Sequence, residues 1–104
     1  MQTIFTLSKD ILEATPGEKA FNPGQETLHT LWRKIVHNQG GPEAPAPQDT
    51  IAILWKKYLI NLGGTPHAYD NAFNFLWKSA KHQGATLAGI ETQFTLLKKI
   101  RDNI

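Results

Sequence analysis

Residues 25–41 read QETLHTLWRKIVHNQGG, and residues 48–64 read QDTIAILWKKYLINLGG. The two stretches align without a gap; 8 of 17 positions are identical, and Glu26 with Asp49, Leu28 with Ile51 and Arg33 with Lys56 are conservative pairs. Self-similarity at this level marks a duplicated structural unit. Apolar residues in the first copy fall at Leu28, Leu31, Trp32, Ile35 and Val36, and in the second at Ile51, Leu54, Trp55, Tyr58, Leu59 and Leu62. That is the i, i+3, i+4, i+7, i+8 spacing of one buried helix face. Each unit is therefore a helix closed by a Gly-Gly pair.

The repeat extends outward from these two copies. A weaker third copy covers Asp70 to Lys81, where Leu76-Trp77-Lys78 repeats the Leu-Trp-basic core and places Trp32, Trp55 and Trp77 at intervals of 23 and 22 residues. Tyr69, Ala72, Phe73, Leu76, Trp77 and Ala80 form its stripe. A fourth, Glu91 to Lys99, carries Leu96-Leu97-Lys98-Lys99 in the corresponding place, with Ile90, Phe94, Leu97 and Ile100 apolar. Ahead of all four, Ile4, Leu7, Ile11 and Leu12 mark a further helix stopped by Pro16-Gly17. The spacing and end signals predict helices over 3–15, 23–38, 48–62, 66–83 and 87–102, with Asn22-Pro23, Thr65-Pro66 and Thr86 as helix starts. Residues 42–47, PEAPAP, read as a stiff extended connection. The other connections read as short, and short connections favour antiparallel neighbours. The expected fold class is all-α: a single domain over 1–104, an antiparallel bundle of four to five helices with a repeated helix-turn unit of about 22 residues.

Composition narrows the function. A chain of 104 residues suits one domain with one core. It contains no cysteine, which excludes disulfides, thiol catalysis and cysteine-ligated metal. A net charge of +2 is too small to indicate a nucleic-acid partner by itself. The opening MQTIFTLSKDIL lacks the cationic start of a secretory signal, and the longest apolar run, Ile51 to Trp55, is far shorter than the roughly 20 residues of a bilayer span. A cytoplasmic protein without membrane contact is expected.

The recurring Leu-Trp-Lys/Arg element invites comparison with aromatic and cationic nucleic-acid surfaces. Each Trp, however, sits within an apolar stripe and reads as core, and acids early with bases late in each helix complement the macrodipole. Residues 76–101 resemble a helix-turn-helix: Ala80, then Gly84 four residues on, then Ile90 ten residues after the Ala. Ser79 and Gln93 depart from that pattern. On this reading Lys81, Thr86, Thr92, Lys98 and Arg101 would meet nucleic acid, with Leu87 and Glu91 beside them. Glu26-x-x-His29 is half of a di-iron helix motif without its other half, and neither Ser8 nor Ser79 lies in a nucleophile motif. A metal protein or an enzyme is thus the weakest reading, and no cofactor is expected. The first expectation is a non-enzymatic binding or assembly subunit that contacts a protein partner or a second copy of itself. Surplus apolar residues Ile53, Ile60 and Phe75 are its candidate contacts.

Overall fold

A computed structural model describes all 104 residues. It contains five helices and no strand: α1 (Ile4–Ala14), α2 (Leu28–Gln39), α3 (Ile51–Leu62), α4 (Ala72–His82) and α5 (Gln93–Asp102). The all-α bundle of repeated helix-turn units read from the sequence is the fold observed. No helix is long and apolar enough to cross a membrane.

Helix starts lie later than expected in α2 to α5, by six residues at α4 and α5. The reason is the cap. Thr3, Thr27, Thr50, Asn71 and Thr92 are the N-caps, and each accepts a hydrogen bond from the backbone N–H three residues on. In four of the five the side chain at that third position, Thr6, Thr30, Asn74 or Thr95, bonds back to the cap backbone. This reciprocal arrangement satisfies two otherwise orphaned N–H groups and outcompetes a start at Asn22-Pro23, Thr65-Pro66 or Thr86.

The caps also define the true register of the repeat. Aligned on them, Ser8, Trp32, Trp55, Leu76 and Leu97 occupy one position, and Lys9, Arg33, Lys56, Trp77 and Lys98 the next. The third copy is thus displaced by one residue from the Leu-Trp-basic alignment. Trp32 and Trp55 are buried, whereas Trp77 lies half-buried against Phe73, ring centroids 6.0 Å apart.

Neighbouring helices place like ends together, which corrects the expected up-down sense. Asn38, at the end of α2, accepts from the Lys19 N–H at 2.9 Å and donates to the Lys19 carbonyl at 2.8 Å, just beyond the end of α1. Asn61, at the end of α3, treats Glu43 identically, at 2.8 and 2.9 Å, just beyond the end of α2. At the opposite ends, His29 in the first turn of α2 meets the carbonyl of Asp49, which precedes α3. Connections of 9 to 13 residues make this possible, because each runs back along the helix it precedes. Along α2, Asn38 holds Lys19, the Lys34 ammonium holds the Ala20 carbonyl at 2.9 Å, and Glu26 accepts from the Asn22 N–H at 2.8 Å. Along α3, Asn61 holds Glu43, Lys57 holds the Ala44 carbonyl at 2.9 Å, and Asp49 accepts from the Ala46 N–H at 2.8 Å.

Each helix packs against its chain neighbours, and α1 also packs against α5, so the five close into a ring. Helices of 10 to 12 residues are about 15–18 Å long, which fits the shortest of the 36 × 32 × 21 Å dimensions. The centre is filled by one cluster of 17 buried apolar residues. Trp32 is its hub: it meets Trp55 at 6.0 Å and Tyr58 at 5.2 Å edge to face, and its indole N–H donates to Ser8 Oγ at 2.9 Å. Ser8 takes the place that Trp32 has in the next unit, and the smaller side chain makes room for the ring.

Candidate functional site

Parallel helices give the molecule two chemically different ends. At the end where helices start, each of α2 to α5 is preceded by an acid directly before its cap: Glu26, Asp49, Asp70 and Glu91. These acids stand outside the first helical turns, so they do not serve there as the expected dipole partners. Each instead pairs with the lysine eight residues on: Lys34, Lys57 at 2.7 Å, Lys78 at 2.5 Å and Lys99. A lysine on a helix leans toward the N-terminus and so reaches back over two turns. The four carboxylates are only 1 to 9% exposed.

All four are held below the ordinary carboxylate range, by different balances. For Glu91, bonds from Lys99, Thr95 and the Ala88 N–H hold it at about 2. Hydrogen bonds from Lys78 and the His67 N–H hold Asp70 below its ordinary value as well. For Glu26 and Asp49 burial is the largest single influence and acts upward, but the hydrogen bonds from Lys34, Thr30 and Asn22, and from Lys57 and Ala46, together outweigh it. At neutral pH the acids are therefore ionised, internally neutralised anions.

With those pairs closed, the segments that build this end carry no other acidic or basic side chain except His29 and His67. Residues 1–6, 22–30, 47–53, 67–74 and 88–95 read MQTIFT, NPGQETLHT, PQDTIAI, HAYDNAFN and AGIETQFT. Of the five large apolar residues most open to solvent, these segments hold four, Met1, Tyr69 at 73%, Ile90 at 90% and Ile53 at 39%; the fifth, Ile104, follows the end of α5. Tyr69 and Ile90 occupy one repeat position, directly before the paired acid. Since α3, α4 and α5 are consecutive in the ring, Ile53, Tyr69 and Ile90 form an arc along one rim. Lys9, Lys19, Arg33, Lys56, Lys81, Lys98 and Arg101 all lie along the wall or toward the opposite end.

The residues singled out from the sequence are distributed as follows. Ile53 lies on the charge-poor rim, Ile60 is half-buried on the outer wall of α3, and Phe75 is enclosed in the core at 6% exposure. Phe75 is therefore not a surface contact. Thr86 lies in the ten-residue connection between α4 and α5, and Thr92 is the α5 cap, bonded to Thr95. That connection and the like-end packing remove the helix-turn-helix geometry. Lys81 and Lys98 are exposed, while Arg101 pairs with Asp102 at 2.9 Å and Asp10 at 3.5 Å. His29 is committed to the Asp49 carbonyl and Glu26 to Lys34, so the apparent Glu-x-x-His pair is used internally. Tyr69 and Ile90 went unmarked because each reads as part of a helix stripe. Their shared place before the acid, and the lack of charge around it, was the available signal.

Comparison with known proteins returns no matching family model, no matching curated protein and no matching solved structure.

Proposed function

We propose that this chain is a non-enzymatic protein-binding or assembly module that docks through its helix-start end onto an uncharged, apolar surface of another protein. The observation that carries this reading is the coincidence, on one end of the ring, of the exposed Ile53, Tyr69 and Ile90 with the absence of any unpaired Asp, Glu, Lys or Arg side chain, the Met1 ammonium being the one formal charge there. Interface centres are depleted of charge and enriched in aromatic and large apolar groups. A face of about 36 × 32 Å is wide enough for the roughly 800 Å² per partner of a standard interface. Neutrality selects the partner: a charged surface docked here would lose its hydration without finding a counter-charge.

Photo-crosslinkers at positions 69 and 90, with position 56 on the outer wall as control, test the reading in the native host. Capture of the same protein from positions 69 and 90, absent from 56 and abolished by Tyr69→Lys with Ile90→Lys, is expected. Equal capture from all three positions, or none from 69 and 90, refutes it. Sedimentation velocity separates the remaining case: a dimer lost in the same double variant would make the partner a second copy.

A further inference from the structure

A cavity of about 340 Å³ lies on the outer wall of α2, lined by Lys19, Thr30, Arg33, Lys34, His37 and Pro45. Its floor is the stripe Thr30, Arg33, His37, and its sides are the two connections that flank α2. No apolar side chain other than Pro45 enters it. From this we infer that the cavity binds a phosphate-class anion, independently of the docking end.

The lining is only partly imposed by the repeat: the position of Arg33 is also basic at Lys9, Lys56 and Lys98, but its neighbours in the cavity are particular to this unit. Lys34 belongs to the scaffold, since its equivalents Lys57, Lys78 and Lys99 all neutralise the buried acids. Lys19, Thr30 and His37 do not: the next unit has Glu43, Ile53 and Ile60 in their places. Three groups are thus available for a ligand. Lys19 lines the cavity with its backbone pinned to Asn38. Arg33 carries a planar fork of donors suited to two oxygens of one phosphate. His37 presents Nε2, now 2.8 Å from Glu18 Oε1.

The acids that face this site come from the two connections flanking α2. Glu26 is spent on Lys34, and Asp49 on Lys57, though the Asp49 carboxylate also feels Arg33. Glu18 is the one poised to yield: its side chain is 75% exposed, and exposed pairs are weak. It bonds His37 alone and feels Lys19 only through space, whereas a phosphate would engage Lys19, Arg33 and His37 together. The ligand therefore displaces Glu18. A larger cavity beside α1, about 590 Å³, shares Lys19 but mixes it and Lys9 with Glu13 and the apolar Leu12 and Phe21, and it has neither an arginine nor a histidine.

The test is amide chemical-shift titration of the whole chain with inorganic pyrophosphate and, separately, with a short oligothymidylate across a salt series. Saturable shifts confined to residues 17–19 and 30–37 are expected. Arg33→Gln and Lys19→Gln should each weaken binding about tenfold, and Glu18→Gln should tighten it about threefold, with unchanged far-ultraviolet circular dichroism. If the oligonucleotide binds with affinity falling steeply with salt, the phosphate is that of a nucleic-acid backbone; if only pyrophosphate binds, it is that of a small ligand. No saturable shift with either probe below about 10 mM overturns the site. Shifts of equal size around Lys56, Lys81 and Lys98, or binding that survives Arg33→Gln, overturn it equally.

Discussion

At Glu91 three donors, from Lys99, Thr95 and the Ala88 backbone, converge on one carboxylate that is almost wholly screened from water. An ionised acid in that setting is stable only while it stays ionised. Its pKa falls from the ordinary 4.5 to about 2, and Glu26, Asp49 and Asp70 shift the same way. A lowered folded-state value means the unfolded chain binds the proton more readily, so stability is complete above the unfolded values and lost as pH falls through the folded ones. The window is set by 4.5 and 3.8 at its upper edge and about 2 at its lower. Urea midpoints measured from pH 7 to pH 2 should hold level to about pH 5 and then drop steadily. Replacing all four acids by Gln or Asn should flatten that drop while lowering the midpoint at pH 7. A midpoint indifferent to pH over this range would show that the pairs contribute nothing to folding. Tyr58 acts at the other extreme: burial, opposed by a bond from Gln83, raises its phenol to about 12, so the folded chain holds that proton more tightly and loses stability above pH 10.

The element that organises these residues is a helix with its preceding connection strapped along it, and the strap is fastened where Asn61 meets Gly41. A Cβ on Gly41 would lie 2.6 Å from Asn61 Oδ1, so only glycine lets the amide seat between the Gln39 side chain and the Glu43 backbone. Gly41→Ala should expel Asn61 and cost about 1–3 kcal/mol in chemical denaturation. Asn61→Ala should cost a similar amount, and the double variant no more than the worse single, because both remove one fastening. Additive losses would mean the two residues act separately. Part of this element was legible in the sequence: Gly40-Gly41 and Gly63-Gly64 end helices as expected, and the stripes of α2 and α3 identify the core that forms. The starts were not legible, because the apolar and proline residues of a strapped connection pack like a first helical turn while leaving the helix itself to begin at Thr or Asn. The shift of register in α4 escaped for a related reason. Leu76-Trp77-Lys78 imitates Leu31-Trp32-Arg33 in letters, yet the cap at Asn71 and the pairing of Asp70 with Lys78 turn Trp77 onto the outer wall.

Closure decides how the molecule behaves as a whole. An open stack of repeats touches only its sequence neighbours, and its terminal units can fray without disturbing the rest. Here α1 meets α5, and Asp10 meets Arg101 across that seam, so no unit is terminal. All five helices also face one core through Trp32, whose ring meets α3 and whose N–H reaches Ser8 on α1. Native-state hydrogen exchange separates the two behaviours. Amides at Ile11, Ile35, Leu59, Ala80 and Ile100, one per helix and all buried, should exchange through global unfolding with one common free energy. Trp32→Phe deletes the bond to Ser8 and leaves a cavity, and should lower that energy by about 1–3 kcal/mol. In a closed ring the loss appears equally at all five probes, including Ala80 on α4, which does not adjoin α2. A loss confined to α1, α2 and α3 would show instead that the helices unfold as a chain of neighbours, and the seam between α1 and α5 would then carry no cooperativity.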